Sequence, residues 1–264
     1  MAKLFQGARI VPVWLEAARA LNNEKNRTAL NYVLEIASPT ILSQEDKGVL
    51  AKIDAKLLQH TPDLTLSTVA NTIFPERIYR KHGRPDFYER YLSAIRFGKK
   101  KYSWGTYAWR MMERNDPATG GTFNPLERIV RKLRSSKNGS DWKAVYELGI
   151  LQPEDLFATD LDEPWCELPL PEPALLQNRN LPCLSHLSVK LLDKQVHVSV
   201  MYRAHYYATR AMGNLIGLSQ LQAFLAAESG FGVGTLTCLS SLAYLDTDAF
   251  GGTKDTAELL KNMP

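Results

Sequence analysis

Apolar positions along the chain repeat in two different rhythms, and the change from one to the other divides it. The front part is helical in its spacing. Trp14, Ala18 and Leu21 fall on one face of 13–21, behind Pro12 at a position that suits a first helical turn. Polar residues at 22–27 end that helix, and a short apolar run at 32–36 reads as a strand. Val49, Leu50, Ile53 and Leu57 form a stripe that predicts an amphipathic helix over 44–58. The segment 66–74 mixes apolar and small polar residues and fits neither pattern. A helical pattern at 86–95 then runs into a basic, aromatic stretch, FGKKKYSWGTYAWR at 97–110. The clearest helix start follows, with Asn124 as cap, Pro125 at the first position and Glu127 three after the cap. Leu126, Ile129, Val130 and Leu133 are its buried stripe.

Between 153 and 182 lie six of the fourteen prolines, among many acidic residues, which predicts an irregular connection. Beyond it the period changes from helical to alternating. Leu187, Val189 and Leu191 point one way, as do Val196, Val198 and Val200, and Asp193-Lys194 lies between the two runs, so 186–202 is expected to be a β-hairpin. Leu215, Leu218, Leu221, Phe224 and Leu225 then make a wide apolar stripe over 214–229, a buried helix ending at Gly230. A strand-like run after GFGVG (230–234) reaches Tyr244. There is no internal repeat, and residues 1–264 are expected to fold as a single α/β domain with a long core helix.

Composition narrows the function classes only slightly. At 45% hydrophobic and 23% charged, the chain can bury one sizeable core. A net charge of +4, from 32 basic and 28 acidic residues, is too mild to argue for nucleic acid and suits a small anionic ligand equally well. The first twenty residues carry charges and a proline where a signal peptide needs its apolar run, so the cytoplasm is the default location. Cys166, Cys183 and Cys238 are odd in number and lack metal-ligand spacing. Neither a disulfide framework nor a zinc site is supported, and a lone reactive thiol stays open.

The order of motifs does more. The second half reads Pro182-Cys183, a hairpin, Tyr202-Arg203, Asn214 eleven residues later, a long apolar helix, GFGVG, and a strand ending in Tyr244. This order resembles the thymidylate synthase and pyrimidine hydroxymethylase superfamily. There a nucleophilic Cys follows a Pro at a strand start, the next strand ends in an Arg, and an Asn opens the core helix. SWGTYAWR at 103–110 resembles the family's YGxxxR stretch with one residue more. PLERIVRKLR at 125–134 resembles the helix that follows it, and Asn26-Arg27-Thr28 resembles the context of its N-terminal phosphate-binding Arg.

The resemblance implies a large twisted mixed sheet with packed helices, a homodimer joined through the sheet face, and a dUMP-like pyrimidine nucleotide as ligand. It makes Cys183 the nucleophile and Arg203 its activating cation. Asn214 becomes the reader of the base, Tyr244 a contact to the sugar, Arg27 a cover for the phosphate, and Arg110 a further substrate contact. Residue chemistry agrees: a thiolate adds reversibly to an electrophilic carbon, a guanidinium favours the thiolate and binds phosphate, and an amide offers both donor and acceptor. Each residue also has an ordinary reading. A Cys after Pro is commonly a buried filler, a strand-end Arg a surface charge, an Asn at a helix start a cap, and His205 a partly exposed histidine.

The sequence departs from the family at definite places. Leu184 follows the nucleophile where a His is usual. Ala204 and Tyr206 stand for a Ser and for the Asp that binds the pterin of methylenetetrahydrofolate, and Arg210 replaces a Gly that leaves room for that pterin. No acid occurs at 69–72, SDWK at 140–143 stands for two partner-donated Arg residues, and only twenty residues follow Tyr244, short of a folate-closing tail. Two readings result. One is a divergent enzyme modifying C5 of a pyrimidine nucleotide, of the methyl or hydroxymethyl transfer type, through a thiolate adduct at C6. The other is a degenerate homologue serving as a nucleotide-binding or structural subunit of a larger assembly. Folate use is in doubt under both, and the basic stretch at 96–110 coincides with a family core element, which speaks against nucleic acid.

Overall fold

The computed structural model describes residues 2–98, 105–116, 119–137, 146–150 and 182–264. Local capping chemistry sets most helix starts. α1 spans Ile10–Asn22 and buries Trp14, Ala18 and Leu21. α2, Gln44–His60, opens with a reciprocal cap: the Ser43 hydroxyl accepts from the Asp46 N–H, and the Asp46 carboxylate accepts from the Ser43 N–H at 2.8 Å. The segment 66–74, which fits neither period, contains α3, Leu66–Asn71, capped in the same way by Thr65 and Thr68. α4 (Glu76–His82), α5 (Asp86–Gly98) and α6 (Tyr107–Met112) follow, and a small hairpin pairs β3 (Arg114–Asn115) with β4 (Thr122–Phe123). α7 is Pro125–Ser136, with the Asn124 side chain accepting from the Glu127 N–H at 2.9 Å. The Glu127 carboxylate is turned to Arg84 and Arg131, where it accepts from both guanidinium groups.

The sheet is mixed. Its strands are β1 (Lys3–Gly7), β2 (Thr28–Ile36), β5 (Glu147–Gly149), β6 (Leu184–Leu192), β7 (Gln195–Tyr202), β8 (His205–Tyr206) and β9 (Gly232–Tyr244). Among the described residues the order is β1-β2-β9-β7-β6-β5, with β8 also on β9. β1 with β2 and β7 with β9 are parallel, and the remaining neighbours on this path are antiparallel. The hairpin turn at Asp193 (φ 50°) and Lys194 (φ 58°) puts both residues in the left-handed region, the geometry whose twist matches paired strands. A bulge at Ser185 shifts the β6–β7 register by one, so Leu184 lies opposite Tyr202 instead of Arg203. Phe5, Tyr32, Leu34, Leu187, Val189, Val198, Leu236 and Cys238 face the core.

α8, Met212–Ser229, is the long core helix, buried on most sides and ending at left-handed Gly230. It does not begin at Asn214. One π-helical turn, Tyr207–Ala211, runs directly into it, and the Asp246 carboxylate caps that turn by accepting from the Ala208 N–H at 2.8 Å and the Thr209 hydroxyl at 2.6 Å. Glycine matters on α8 because α3 lies against it. A Cβ on Gly213 would come within 2.6 Å of Val69 Cβ, and one on Gly217 within 2.7 Å of the Ala70 carbonyl oxygen. α9, Thr253–Lys261, completes the described chain. No helix among the described residues is long and apolar enough to cross a membrane.

Candidate active site

The hairpin's open end sets the first contact of the site. Because the Ser185 bulge puts Leu184 opposite Tyr202, the next pair outward is Cys183 and Arg203, and the Arg203 N–H donates to the Cys183 carbonyl at 3.0 Å. The Arg203 guanidinium folds back to donate to the Pro182 carbonyl at 2.7 Å, which holds its charge beside the thiol. Tyr107, at the start of α6, closes the other side: its hydroxyl accepts from the N–H groups of Cys183 and Leu184 at 3.1 and 3.3 Å.

A cleft of about 250 Å³ opens here, lined by Val69 of α3 and Thr72 just past its end, Gly105 and Tyr107, Cys183, Ala204 to Tyr206, Arg210 and Asn214. Among the described residues of this lining none is a carboxylate, and Arg210 brings a positive charge to it. Burial raises the pKa of the Cys183 thiol above its ordinary value, and the guanidinium groups of Arg203 and Arg210 pull it down only part of the way. The expected effect of Arg203 on the thiolate therefore has the right sign and is the smaller one. Alkylation of Cys183 by iodoacetamide is accordingly expected to accelerate with pH through the alkaline range, and to be severalfold slower at neutral pH in Arg203→Ala. Peptide mapping of the label measures this, and a rate already flat with pH below neutrality would contradict it.

Asn214 lies inside the helical run, so the capping explanation for it does not hold. Its amide Nδ2 is 3.1 Å from His205 Nε2, and His205 Nδ1 is 2.9 Å from the Ser240 hydroxyl. His205 is not the partly exposed histidine expected: it is 2% exposed, because β8 pairs with β9 and carries the ring inward. Burial pushes its pKa down to about 3, which leaves it neutral.

The other expected residues are distributed as follows. Tyr244 is opposite Thr28, next to Arg27, and pairs with Tyr206 on its other side, so both lie at the same sheet end as Cys183 and Arg203. The Tyr244 ring is exposed and meets Tyr206 edge-on at 5.7 Å. Arg27 has φ 53° and a buried Nε without a hydrogen-bond partner among the described residues. Arg110 is not in the cleft wall; it is 2% exposed and donates to the Ile150 carbonyl at 3.1 Å. Residues 99–101, Cys166 and the SDWK segment lie outside the described residues. Sequence reasoning did not select Tyr107, Val69 or Thr72 for the cleft, although the resemblance pointed to 69–72 as the place of an acid.

Known proteins bear on this arrangement. A curated relative from Methanococcoides burtonii, named "Putative thymidylate synthase", is 34% identical over 65 residues, 25% of this chain and 30% of its own length. One of the same name from Methanosarcina barkeri is 31% identical over 65 residues, with the same shares. The chain is similar to thymidylate synthases. The matched segment thus spans less than a third of either relative. Among solved structures, thermostable thymidylate synthase A from Bacillus subtilis is similar over 88% of this chain and 70% of its own, at 13% identity and a TM-score of 0.46. No family model matches the chain.

At two positions that the resemblance ties to folate, this chain carries other residues. Tyr206 and Arg210 stand where the resemblance implies an Asp and a Gly for the pterin, and both side chains belong to the cleft wall. The cleft volume of about 250 Å³ is that of one small ligand.

Proposed function

We propose that the protein binds a uracil-type nucleotide in this cleft and activates its C5 position through a covalent bond from Cys183. The observation that carries the reading is the convergence of Cys183 and Asn214 on one cleft, with Arg203 held opposite the thiol by the hairpin register. In the reaction, the Cys183 thiolate adds to C6, forming an S–C6 bond. The electron pair of the C5=C6 bond moves toward O4, where an Asn214 N–H meets the developing charge. C5 is then a nucleophile. With a proton from water as electrophile, loss of the original C5 proton and expulsion of the thiolate return the starting nucleotide with its C5 hydrogen exchanged, a cycle that needs no co-reactant. Methyl or hydroxymethyl transfer would use the same intermediate with a one-carbon donor. Arg203 and Arg27 are the proposed phosphate contacts, and Tyr244 the contact to the sugar hydroxyl.

The test is mass spectrometry of the protein with 5-fluoro-dUMP, whose C5 fluorine cannot depart as a proton does. An added mass on the Cys183 peptide is expected without folate; no adduct at any pH would sink the enzymatic reading. Among the described residues the cleft lining holds no carboxylate, which favours a second reading, a nucleotide-binding subunit without turnover. Under it dUMP raises the melting temperature of the wild type, but not of Arg203→Ala, and no adduct forms.

The proposed homodimer would use the outer sheet face. Leu4, Val33, Leu239 and Met201 lie side by side across four strands, and Leu30 lies opposite Leu242. Leu30 at 65% exposure, Leu4 at 55% and Met201 at 41% make this an apolar surface that a second copy would cover. Sedimentation is expected to show a dimer for the wild type and a monomer for Leu30→Lys/Met201→Lys. A monomeric wild type at micromolar concentration would end the proposal.

A further inference from the structure

The polar groups buried behind the cleft form a chain from Asn214 through His205 to Ser240, and its donors and acceptors can be assigned one by one. His205 is stacked on Tyr202, with ring centroids 4.1 Å apart and planes 3° apart, so the imidazole is clamped and cannot turn over. Its Nε2 faces the amide nitrogen of Asn214 at 3.1 Å, and an amide nitrogen can only donate. Nε2 therefore accepts. A neutral imidazole with Nε2 as acceptor carries its one proton on Nδ1, and that N–H donates to the Ser240 hydroxyl at 2.9 Å.

We infer that His205 is a positioning residue that holds the Asn214 amide with its nitrogen toward His205 and its oxygen toward the cleft, so that the site selects the N–H-bearing edge of uracil over the acceptor edge of cytosine. The inference rests on the pyrimidine-nucleotide reading above. Turning the amide over would set its oxygen against the lone pair on Nε2. It would also require the imidazole to move its proton from Nδ1 to Nε2 and the Ser240 hydroxyl to turn from acceptor to donor. Burial keeps the ring neutral, since its pKa is pushed to about 3, so no charged imidazole forms that could donate from both nitrogens and favour the turned amide. With the amide held, Oδ1 can accept from uracil N3–H while the second Nδ2 hydrogen reaches O4. Cytosine presents an acceptor at N3 and a donor at C4, and mismatches both.

Two measurements test this. A long-range proton–nitrogen NMR spectrum of the wild type, with the His205 signals assigned by their loss in His205→Gln, should show the neutral Nδ1–H tautomer between pH 5 and pH 8, a range far above the value of about 3 that burial imposes. Calorimetric titration should show dUMP binding about tenfold or more tighter than dCMP, the size expected when a buried donor or acceptor is left unpaired. In His205→Leu, which offers no acceptor, the ratio should fall toward one. In His205→Gln, whose amide oxygen can accept from Asn214, most of the ratio should return, and a melting curve for each variant confirms folding. The Nε2–H tautomer, equal binding of dUMP and dCMP by the wild type, or an unchanged ratio in His205→Leu would each overturn the inference. Binding of neither nucleotide alongside the Nδ1–H tautomer would overturn the nucleotide reading, and the selectivity with it, while leaving the His205 geometry standing.

Discussion

Cys183→Ala is expected to abolish the 5-fluoro-dUMP adduct completely while leaving the protein folded and able to bind dUMP. The sulfur is the only atom removed from the attack, and no other cysteine among the described residues can replace it. Cys238 lies in β9, fully buried, and burial pushes its thiol up to about 12. The backbone bonds at residue 183, to the Tyr107 hydroxyl and from the Arg203 N–H, are independent of the side chain and survive. Loss of a half-buried thiol should cost about 1 kcal/mol of stability, a shift of a few degrees at most in a chain of this size. Any C5 hydrogen exchange on dUMP should fall by at least about a thousandfold, since removing a nucleophile leaves only binding and electrostatic contributions. Proton NMR of dUMP in D2O measures that rate. Exchange persisting in Cys183→Ala would show that another group, or none, performs the addition.

Gly217→Val is expected to cost about 3 kcal/mol, a fall in melting temperature of roughly 6 to 10 °C. The atoms that meet the new side chain are backbone: the Ala70 carbonyl oxygen at 2.7 Å and Ala70 Cα at 3.0 Å from the added Cβ. Neither can rotate away, so α3 as a whole has to retreat. The gain from removing a helical glycine, about 1 kcal/mol, offsets only part of this. A retreat of α3 also withdraws Val69 and Thr72 from the cleft, so weaker dUMP binding should accompany the lost stability. Gly48 in α2 has nothing within 4 Å of its added Cβ, and Gly48→Ala should therefore stabilise by roughly 0.5 to 1 kcal/mol with binding unchanged. Calorimetric melting of both variants separates close approach from plain helix propensity.

What the chain reveals of itself depends on how local the cause is. α1, α2 and α7 follow from stripes and caps within their own residues, and the β6–β7 hairpin from strict alternation around Asp193-Lys194. α3 is only six residues long, too short for a period, and its position is decided by glycines more than 140 residues away, on α8. His205 was illegible for a similar reason: its burial depends on pairing with Ala243, and nothing in its neighbours announces a two-residue strand. At the site, the Cys183 and Arg203 pairing could be approached from the hairpin, but its register depends on the Ser185 bulge. Arg110, a substrate contact by the resemblance, is a buried donor to the Ile150 carbonyl outside the cleft lining, because α6 packs it inward.

The π turn at Tyr207–Ala211 has a consequence for how the chain tolerates changes in length. Such a turn holds one residue more than an α turn, and in an α-helix each residue advances the rotation by about 100°. Deleting a single residue from it would let the segment relax into regular α-helix without breaking a hydrogen-bond ladder. Because the residue removed is the one the π turn carries in excess, Asn214 would keep its rotation relative to His205 and Cys183. A one-residue gap in this turn should thus leave Asn214 facing the cleft in a protein that still melts cooperatively, whereas the same gap within α8 would rotate every later side chain by about 100° and cost the packing of the core helix.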